Sequence, residues 1–287
     1  MKNIVVATDF SSRSDRAVQR GAMLARLSGA TMHLVHVVDD DWHPQLLEAG
    51  LRESEALLKE QAAFIHDKHG VTCTYLVKSG DPATGITGAA GEIGADLLIV
   101  GPHRREVLRD IFAGTTAERV IRSSRVPVLM TSGAASAAYA RIVVATDLSP
   151  ASAKALQALE TLGLRGDAAP WLVYCAEPYR SGGAALALLP ESVIAGHVKA
   201  EAERAQAELD AFAGPLSIPA DRRIARLVQD SVAATVHRVA ADLRADLIVV
   251  GTHGRTGIER LMLGSVAAAI LGLAQIDVLA VPTSTKG

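Results

Sequence analysis

The sequence contains one unit twice, and this duplication restricts the possible fold more than any other feature. The segment Asn3–Ser11, which reads Asn-Ile-Val-Val-Ala-Thr-Asp-Phe-Ser, returns almost unchanged as Arg141–Ser149. Two further matched pairs follow in the same order: Ala95–His103 with Ala245–His253, and Val126–Met130 with Ile276–Ala280. A single duplication of this size in 287 residues predicts two similar domains, because a solenoid would repeat with a much shorter period.

A linker is expected between the two copies. Residues 133–139 are uncharged and mostly small, and they show no apolar periodicity. We therefore predict a first domain at 1–132 and a second domain at 140–287. Both lengths lie in the usual range for a single folded domain.

Each copy alternates short apolar strands with helices. Ile4–Thr8 is an unbroken apolar run, which is typical of a strand covered on both faces. Pro44–His69 has the spacing of a long amphipathic helix, and Gly70 is placed to end it. Five such strands alternating with helices predict an α/β fold, with one doubly wound, five-stranded parallel sheet of Rossmann-like type in each copy.

Ligands of doubly wound sheets bind at the carboxyl ends of the strands, where the strand order reverses. If the first and fourth strands of each copy are neighbours, two crevices result. Thr146–Asp147 would then face the loop at Gly251, and Thr8–Asp9 would face the loop at Gly101. The sequence thus predicts one candidate site in each copy.

The loop after the fourth strand of the second copy has the pattern of a phosphate-binding loop. Gly251 and Gly254 follow the strand, and Gly264 and Ser265 precede a new helical pattern. Glycines allow backbone N–H groups to approach an anion closely, because no Cβ stands in the way. The helix start adds unpaired N–H donors and the positive end of the helix dipole.

Bulk properties exclude several classes of protein. The formal net charge is −2, so no general basic field would attract nucleic acid. No uncharged apolar run reaches the roughly 18 residues of a membrane span, and the first residues lack the layout of a signal peptide, so we expect a cytoplasmic protein. Cys73 and Cys175 are expected to be free, buried thiols.

The Ala-Thr-Asp strand and the pattern Gly-x2-Gly-x9-Gly-Ser together resemble the universal stress protein family in its tandem, two-domain form. The similarity covers essentially the whole chain. It implies an ATP-binding, stress-response protein whose nucleotide is held mainly by the second domain. Any Mg²⁺ would be carried by the phosphates, and no metal cage made of protein side chains is expected.

The resemblance also implies positions for the parts of ATP. The ribose is expected near Asp147, beside Ala145 and Thr146, and the adenine near the main chain of Cys175. The phosphates are expected along the loop and the helix start: Gly251, His253, Gly254, Gly264, Ser265 and Val266. His253 either contacts the phosphates or simply faces solvent.

The first copy departs from the pattern. Arg104 stands where the second glycine belongs, and it either obstructs a phosphate or contacts one with its guanidinium group. Pro102 removes one N–H from the loop. A second site with a degenerate motif is therefore expected, with the following residues: Thr8, Asp9, Val37, Gly101, Arg104, Gly114 and Thr115. Asp9 and Asp147 could instead act only as helix caps.

Three functions remain open at this stage. An ATP-binding regulator is the leading hypothesis, because no acidic pair or general base accompanies the glycine loop, as phosphoryl transfer would require. We expect no dedicated catalytic activity, and slow ATP hydrolysis is an alternative. A module for protein interaction with no nucleotide is the other. In either case the two copies are expected to pair within the chain through their last strands or adjoining helices, because exposed strand edges need covering. A homodimer of whole chains is a further option.

Overall fold

The structure is a computed structural model, and it describes most of the chain. The described residues are 1–41, 43–102, 115–133, 135, 137–165, 169–177, 190–253 and 263–283. Among them, no helix is both long enough and apolar enough to cross a membrane.

The first copy alternates strands and helices as expected. Its elements are β1 (Asn3–Ala7), α1 (Ser12–Ser28), β2 (Thr31–Val38), α2 (Pro44–His69), β3 (Cys73–Ser79), α3 (Pro82–Ile93), β4 (Leu97–Val100), α4 (Thr116–Ser123) and β5 (Val128–Met130). The long helix has the predicted bounds, and Gly70 ends it with a left-handed φ of 66°.

The second copy follows the same order. Its elements are β6 (Ile142–Thr146), α5 (Pro150–Thr161), β7 (Trp171–Ala176), α6 (Glu191–Ala213), β8 (Arg223–Leu227), α7 (Val232–Asp242), β9 (Leu247–Gly251), α8 (Ser265–Leu273) and β10 (Asp277–Val281). Two short 3₁₀ turns, Gly214–Leu216 and Ala220–Arg222, lie between α6 and β8.

The strands form one sheet in the order β3-β2-β1-β4-β5-β10-β9-β6-β7-β8. Within each copy all neighbours are parallel, which confirms the predicted fold class. The two copies join through their last strands, where β5 and β10 pair antiparallel with Leu129 opposite Leu279. The strand order reverses between β1 and β4 and between β6 and β9, so each reversal opens a crevice at the carboxyl ends of these strands.

Helices cover both faces of this sheet. The side chains of Val6, Leu34 and their neighbours pack beneath α1, α2, α5 and α6 on one face. Those of Val5 and Val35 pack beneath α3, α4, α7 and α8 on the other. Because successive strand residues point to opposite faces, both faces are buried and the strands are apolar throughout.

A buried ionic cluster joins the two copies beside β5 and β10. Arg20 on α1 is 4 % exposed and Asp277 at the start of β10 is 1 % exposed, and their Nε and Oδ2 atoms are 2.9 Å apart. The hydroxyl of Tyr139 donates to the same carboxylate at 2.6 Å, and the amides of Ser132 and Gly133 donate to its other oxygen at 2.9 and 2.8 Å. Arg20 also donates from Nη1 to the carbonyl of Ala137 at 2.9 Å, so the segment predicted as a plain linker is bonded to both copies.

Candidate functional site

A tight, hydrogen-bonded turn follows β6. The Thr146 hydroxyl lies 2.7 Å from that of Ser152 and accepts the amide of Leu148 at 2.9 Å. Leu148 adopts a left-handed φ of 64°, which costs a branched residue roughly 1–2 kcal/mol. This turn brings the Asp147 carboxylate to the mouth of the crevice.

Asp147 supports the helix cap without being the cap itself. The amide and the hydroxyl of Ser149 donate to Asp147 Oδ1 at 3.1 and 2.5 Å. Ser149 in turn caps α5 by accepting the amide of Ser152 at 3.3 Å. The interpretation of Asp147 as a simple helix cap is therefore wrong, and the same holds for Asp9, where Ser11 caps α1.

Gly264 is closely packed at the start of α8. Its amide donates to the Thr252 carbonyl at 2.8 Å, and a Cβ at this position would lie 3.1 Å from that oxygen. Among the described residues no side chain caps α8, and its first turn contains no acidic residue. The first-turn amides of this helix therefore form an electropositive helix end beside the crevice.

The second copy's crevice, which we call the C-terminal crevice, has a volume of about 630 Å³. Nine of the ten residues predicted for the nucleotide line it: Ala145, Thr146, Asp147, Cys175, Gly251, His253, Gly264, Ser265 and Val266. The tenth, Gly254, lies outside the described residues. The structure thus brings together residues from three strands and one helix start.

One ring nitrogen of His253 is buried in this crevice without a hydrogen-bond partner among the described residues. Its Nδ1 lies 2.9 Å from the hydroxyl of Thr252, which is 1 % exposed. Its Nε2 is buried and has no hydrogen-bond partner within the described part of the chain. A buried polar atom without a partner costs roughly 1–3 kcal/mol, which a ligand oxygen could recover.

Apolar side chains form one wall of the crevice. Val173, Val232 and Val250 lie on this wall together with Cys175. Burial raises the pKa of the Cys175 thiol to about 11, although the positive charge of Arg226 opposes the shift. The thiol is therefore neutral at physiological pH and offers an apolar contact. It is also a poor nucleophile, because only the thiolate reacts strongly.

A polar wall on the opposite face of the sheet was missed by the sequence reasoning. It consists of Tyr174 on β7 and of His197, Glu201, Arg204 and Glu208 on α6. The Tyr174 hydroxyl donates to Glu208 at 3.4 Å, and Arg204 forms ion pairs with both glutamates. Spacings of three and four residues place these α6 side chains on one helix face, and that signal was present in the sequence.

The first copy's crevice, which we call the N-terminal crevice, is smaller, with a volume of about 370 Å³. Five of the predicted residues line it: Thr8, Asp9, Val37, Gly101 and Thr115. Arg104 and Gly114 lie outside the described residues. Burial tends to raise the pKa of Asp9, but hydrogen bonds from Ser11 and Ser14 and the charge of Arg13 outweigh it and hold that pKa below its ordinary value.

Within the described residues, the two crevices differ beside the helix that follows the glycine loop. In the first copy, Thr115 caps α4 by accepting the amide of Glu118 at 3.1 Å, and Glu118 places a carboxylate in the first turn.

Pro102 has a different consequence from the one expected. The amide of its counterpart Thr252 donates to the carbonyl of Val281 at 2.9 Å, so this position extends the sheet and does not supply a phosphate donor.

The fold and the crevices define a class: a duplicated, doubly wound α/β protein with a pocket at each reversal of strand order. The sequence profile described as the universal stress protein family matches residues 1–132 and 138–282. The chain therefore belongs to the universal stress protein family.

Individual proteins agree with this assignment. Universal stress protein A homolog 2 of Coxiella burnetii is 34 % identical over 147 residues, which make up 50 % of this chain and 94 % of that protein. A universal stress protein from Archaeoglobus fulgidus superimposes on 98 % of this chain and 98 % of its own with a TM-score of 0.70 at 15 % identity. A protein of unknown function from Pseudomonas aeruginosa gives 0.67 at 18 % identity, with 99 % of this chain and 93 % of that chain covered. Both structural matches support the fold alone.

Proposed function

We propose that the C-terminal crevice binds ATP, with Mg²⁺ carried by the phosphates, and that the protein acts as a nucleotide-dependent regulator of a stress response. The observation that carries the proposal is the convergence of the Asp147 carboxylate, an apolar wall and a glycine-lined helix start in one crevice of about 630 Å³. That volume lies within the usual range of small-molecule sites.

Each part of ATP has a chemically suitable neighbour. The Asp147 carboxylate can accept hydrogen bonds from ribose hydroxyls, as acidic residues do in other nucleotide sites. Val173, Val232 and Cys175 suit the apolar face of the adenine. The amides at the start of α8 suit the phosphates, and a negative charge there gains roughly 0.3–1 kcal/mol from the helix dipole.

The described lining residues favour binding over catalysis. Glu201 and Glu208 come from α6, which covers the face of the sheet opposite to α8, and both pair with Arg204. Asp147 is committed to Ser149 through one carboxylate oxygen. None of these three lining carboxylates is thus placed at the start of α8 to hold a metal ion for phosphoryl transfer. Release of inorganic phosphate from ATP would measure the alternative, slow hydrolysis.

Isothermal titration of the full chain with Mg-ATP tests the proposal. We expect saturable binding of one equivalent. Gly264→Val should weaken ATP binding strongly, because its side chain would be forced against the Thr252 carbonyl, 3.1 Å from a Cβ. Gly91→Val is the matched control, since a Cβ there has no neighbour within 4 Å. Absence of saturation at high micromolar ATP would refute the proposal.

Native mass spectrometry of the purified protein separates this function from that of a plain interaction module. Co-purified ATP or ADP supports the nucleotide proposal. Titration with a protein partner in the presence and absence of ATP would then show whether the nucleotide regulates binding. A partner that binds equally well in both conditions would favour the interaction module.

A further inference from the structure

The long helix α2 carries an apolar stripe that the fold leaves exposed. Leu46, Leu57 and Phe64 are 61 %, 42 % and 58 % exposed. They are separated by 11 and 7 residues, which at about 3.6 residues per turn places all three on one side of the helix. About a third of a turn away lie the residues that α2 buries: Ser54, Leu58, Ala62 and Ile65. The stripe is therefore separate from the face that packs on the sheet.

A row of acidic residues runs beside this stripe. Glu53, Glu60 and Asp67 are exposed and repeat every seven residues, within about one sixth of a turn of the stripe. The ion pair that α2 does form joins Arg52 to Glu48 on the other side of the helix, with 3.1 Å between nitrogen and oxygen. Within the described part of the chain, no cation pairs with the three residues of the acidic row. Their charges are thus available to a partner.

The second copy shows that this pattern is not a general property of the long helix. The exposed large apolar residues of α6 are Val193 and Val198, which are 48 % and 37 % exposed and lie near its start. The acidic side chains described on α6 have cations beside them, in the following ion pairs: Lys199 with Glu203, Arg204 with Glu201 and Glu208, and Arg223 with Asp210. Only α2 combines a long apolar stripe with a row of unpaired charges.

The charges favour a basic partner over a second copy of the chain or a lipid surface. In an antiparallel pair of α2 helices centred on Leu57, Glu53 of one copy would lie near Glu60 of the other, and like charges facing each other are unfavourable. The acidic row would also be repelled by an anionic membrane. On α2, Lys68 adds one positive charge at the end of the stripe, where its ammonium lies 5.1 Å from the centre of the Phe64 ring.

We propose that this side of α2 is a docking surface for a basic amphipathic helix of another protein. The apolar residues of that helix cover Leu46, Leu57 and Phe64, and its lysines or arginines pair with the acidic row. Leu46 and Phe64 are about 27 Å apart along the helix axis, so a partner helix of about five turns matches the stripe. The surface belongs to α2 alone, and the inference therefore does not depend on ATP binding.

A designed peptide tests the surface. The probe is a fluorescein-labelled helix of about 18 residues, with leucines at i, i+3, i+4 and i+7 and lysines elsewhere, titrated with the full chain and followed by anisotropy. We expect saturable binding that weakens as NaCl is added. Phe64→Ser should weaken it about tenfold or more, because an aromatic anchor is lost. Glu53→Gln combined with Glu60→Gln should weaken it about threefold or more. Glu48→Gln combined with Glu55→Gln removes the same charge from the other side of α2 and should leave the affinity unchanged.

Each outcome decides the inference. No saturable binding of the peptide, or equal weakening by the two double variants, would overturn it. A dimer of the chain in sedimentation velocity that Phe64→Ser dissociates would assign the stripe to a second copy instead. Binding to phosphatidylserine vesicles that Phe64→Ser abolishes would assign it to a membrane.

Two further measurements separate docking from folding and from the proposed function. Thermal unfolding of Phe64→Ser should match that of the unchanged protein, because the side chain is 58 % exposed, and Leu57→Ser repeats the test at a second position of the stripe. Titration of both variants with ATP should give the same result as the unchanged chain. If the chain binds no ATP but still binds the peptide in a manner sensitive to Phe64→Ser, only the ATP proposal fails.

Discussion

Replacing Asp277 by Asn should destabilise the whole protein strongly. The carboxylate accepts hydrogen bonds from Tyr139 and from the amides of Ser132 and Gly133, and it pairs with Arg20 at 2.9 Å. Asparagine keeps the shape but removes the charge, so the buried guanidinium group loses its anionic partner. Removing one partner of a buried ion pair typically costs about 3–5 kcal/mol.

This cost is large compared with the total stability of a typical domain, which is about 5–15 kcal/mol. At roughly 2–4 °C per kcal/mol for chains of this order of length, the melting temperature should fall by about 6–20 °C. Circular dichroism during thermal and urea unfolding measures the change.

Tyr139 should remain a hydrogen-bond donor to Asp277 throughout the neutral range. Burial is the main cause and the negative charge of Asp277 the second, and together they raise the pKa of Tyr139 well above its ordinary value, so the phenol keeps its proton.

Two control variants make the measurement decisive. Glu92→Gln removes a surface ion pair with Lys78, 2.6 Å long, whose carboxylate is 63 % exposed, and it should cost no more than about 1 kcal/mol. Arg20→Met combined with Asp277→Asn should recover part of the loss, because no buried charge is left without its partner. If Asp277→Asn costs no more than Glu92→Gln, the buried cluster does not stabilise the junction between the two copies.

Three further predictions concern the crevices. ATP binding should be weakened strongly by Gly264→Val and left intact by Gly91→Val, as measured by titration calorimetry. The pKa of Cys175 is about 11 in the folded chain and about 9 when unfolded, so its contribution to stability is fully present below pH 9 and is lost as the pH rises towards 11. Cys175→Ala should therefore make the free energy of unfolding, measured by urea titration at alkaline pH, fall less steeply with pH. The lowered pKa of Asp9 contributes stability above its unfolded pKa, and this is lost as the pH falls through the folded value, so Asp9→Asn should reduce the acid sensitivity of unfolding. Unchanged pH profiles in these two variants would contradict the assigned pKa shifts.

Much of the fold could be predicted because its signals are local. The α2 helix has the predicted bounds, since proline begins it and glycine ends it within one amphipathic pattern. The crevice residues could be named because each follows a strand end, and parallel strands place their carboxyl ends along one edge. The polar wall of α6 was missed because its spacing is equally typical of an ordinary solvated helix face.

The sequence by itself determined the α/β class, the duplication and the strand-end residues that meet in each crevice, because these depend on periodicity, turn chemistry and strand order within one copy. Only the tertiary structure decided that both copies share a single sheet and that Arg20 and Asp277 meet in its interior. It also decided that Thr115 bonds a first-turn amide of α4, whereas no described side chain caps the start of α8. Such contacts join residues that are distant in the chain, or depend on the exact helix register, so no local pattern specifies them. Packing determines them, because a buried charge or amide must find whatever partner the assembled fold provides.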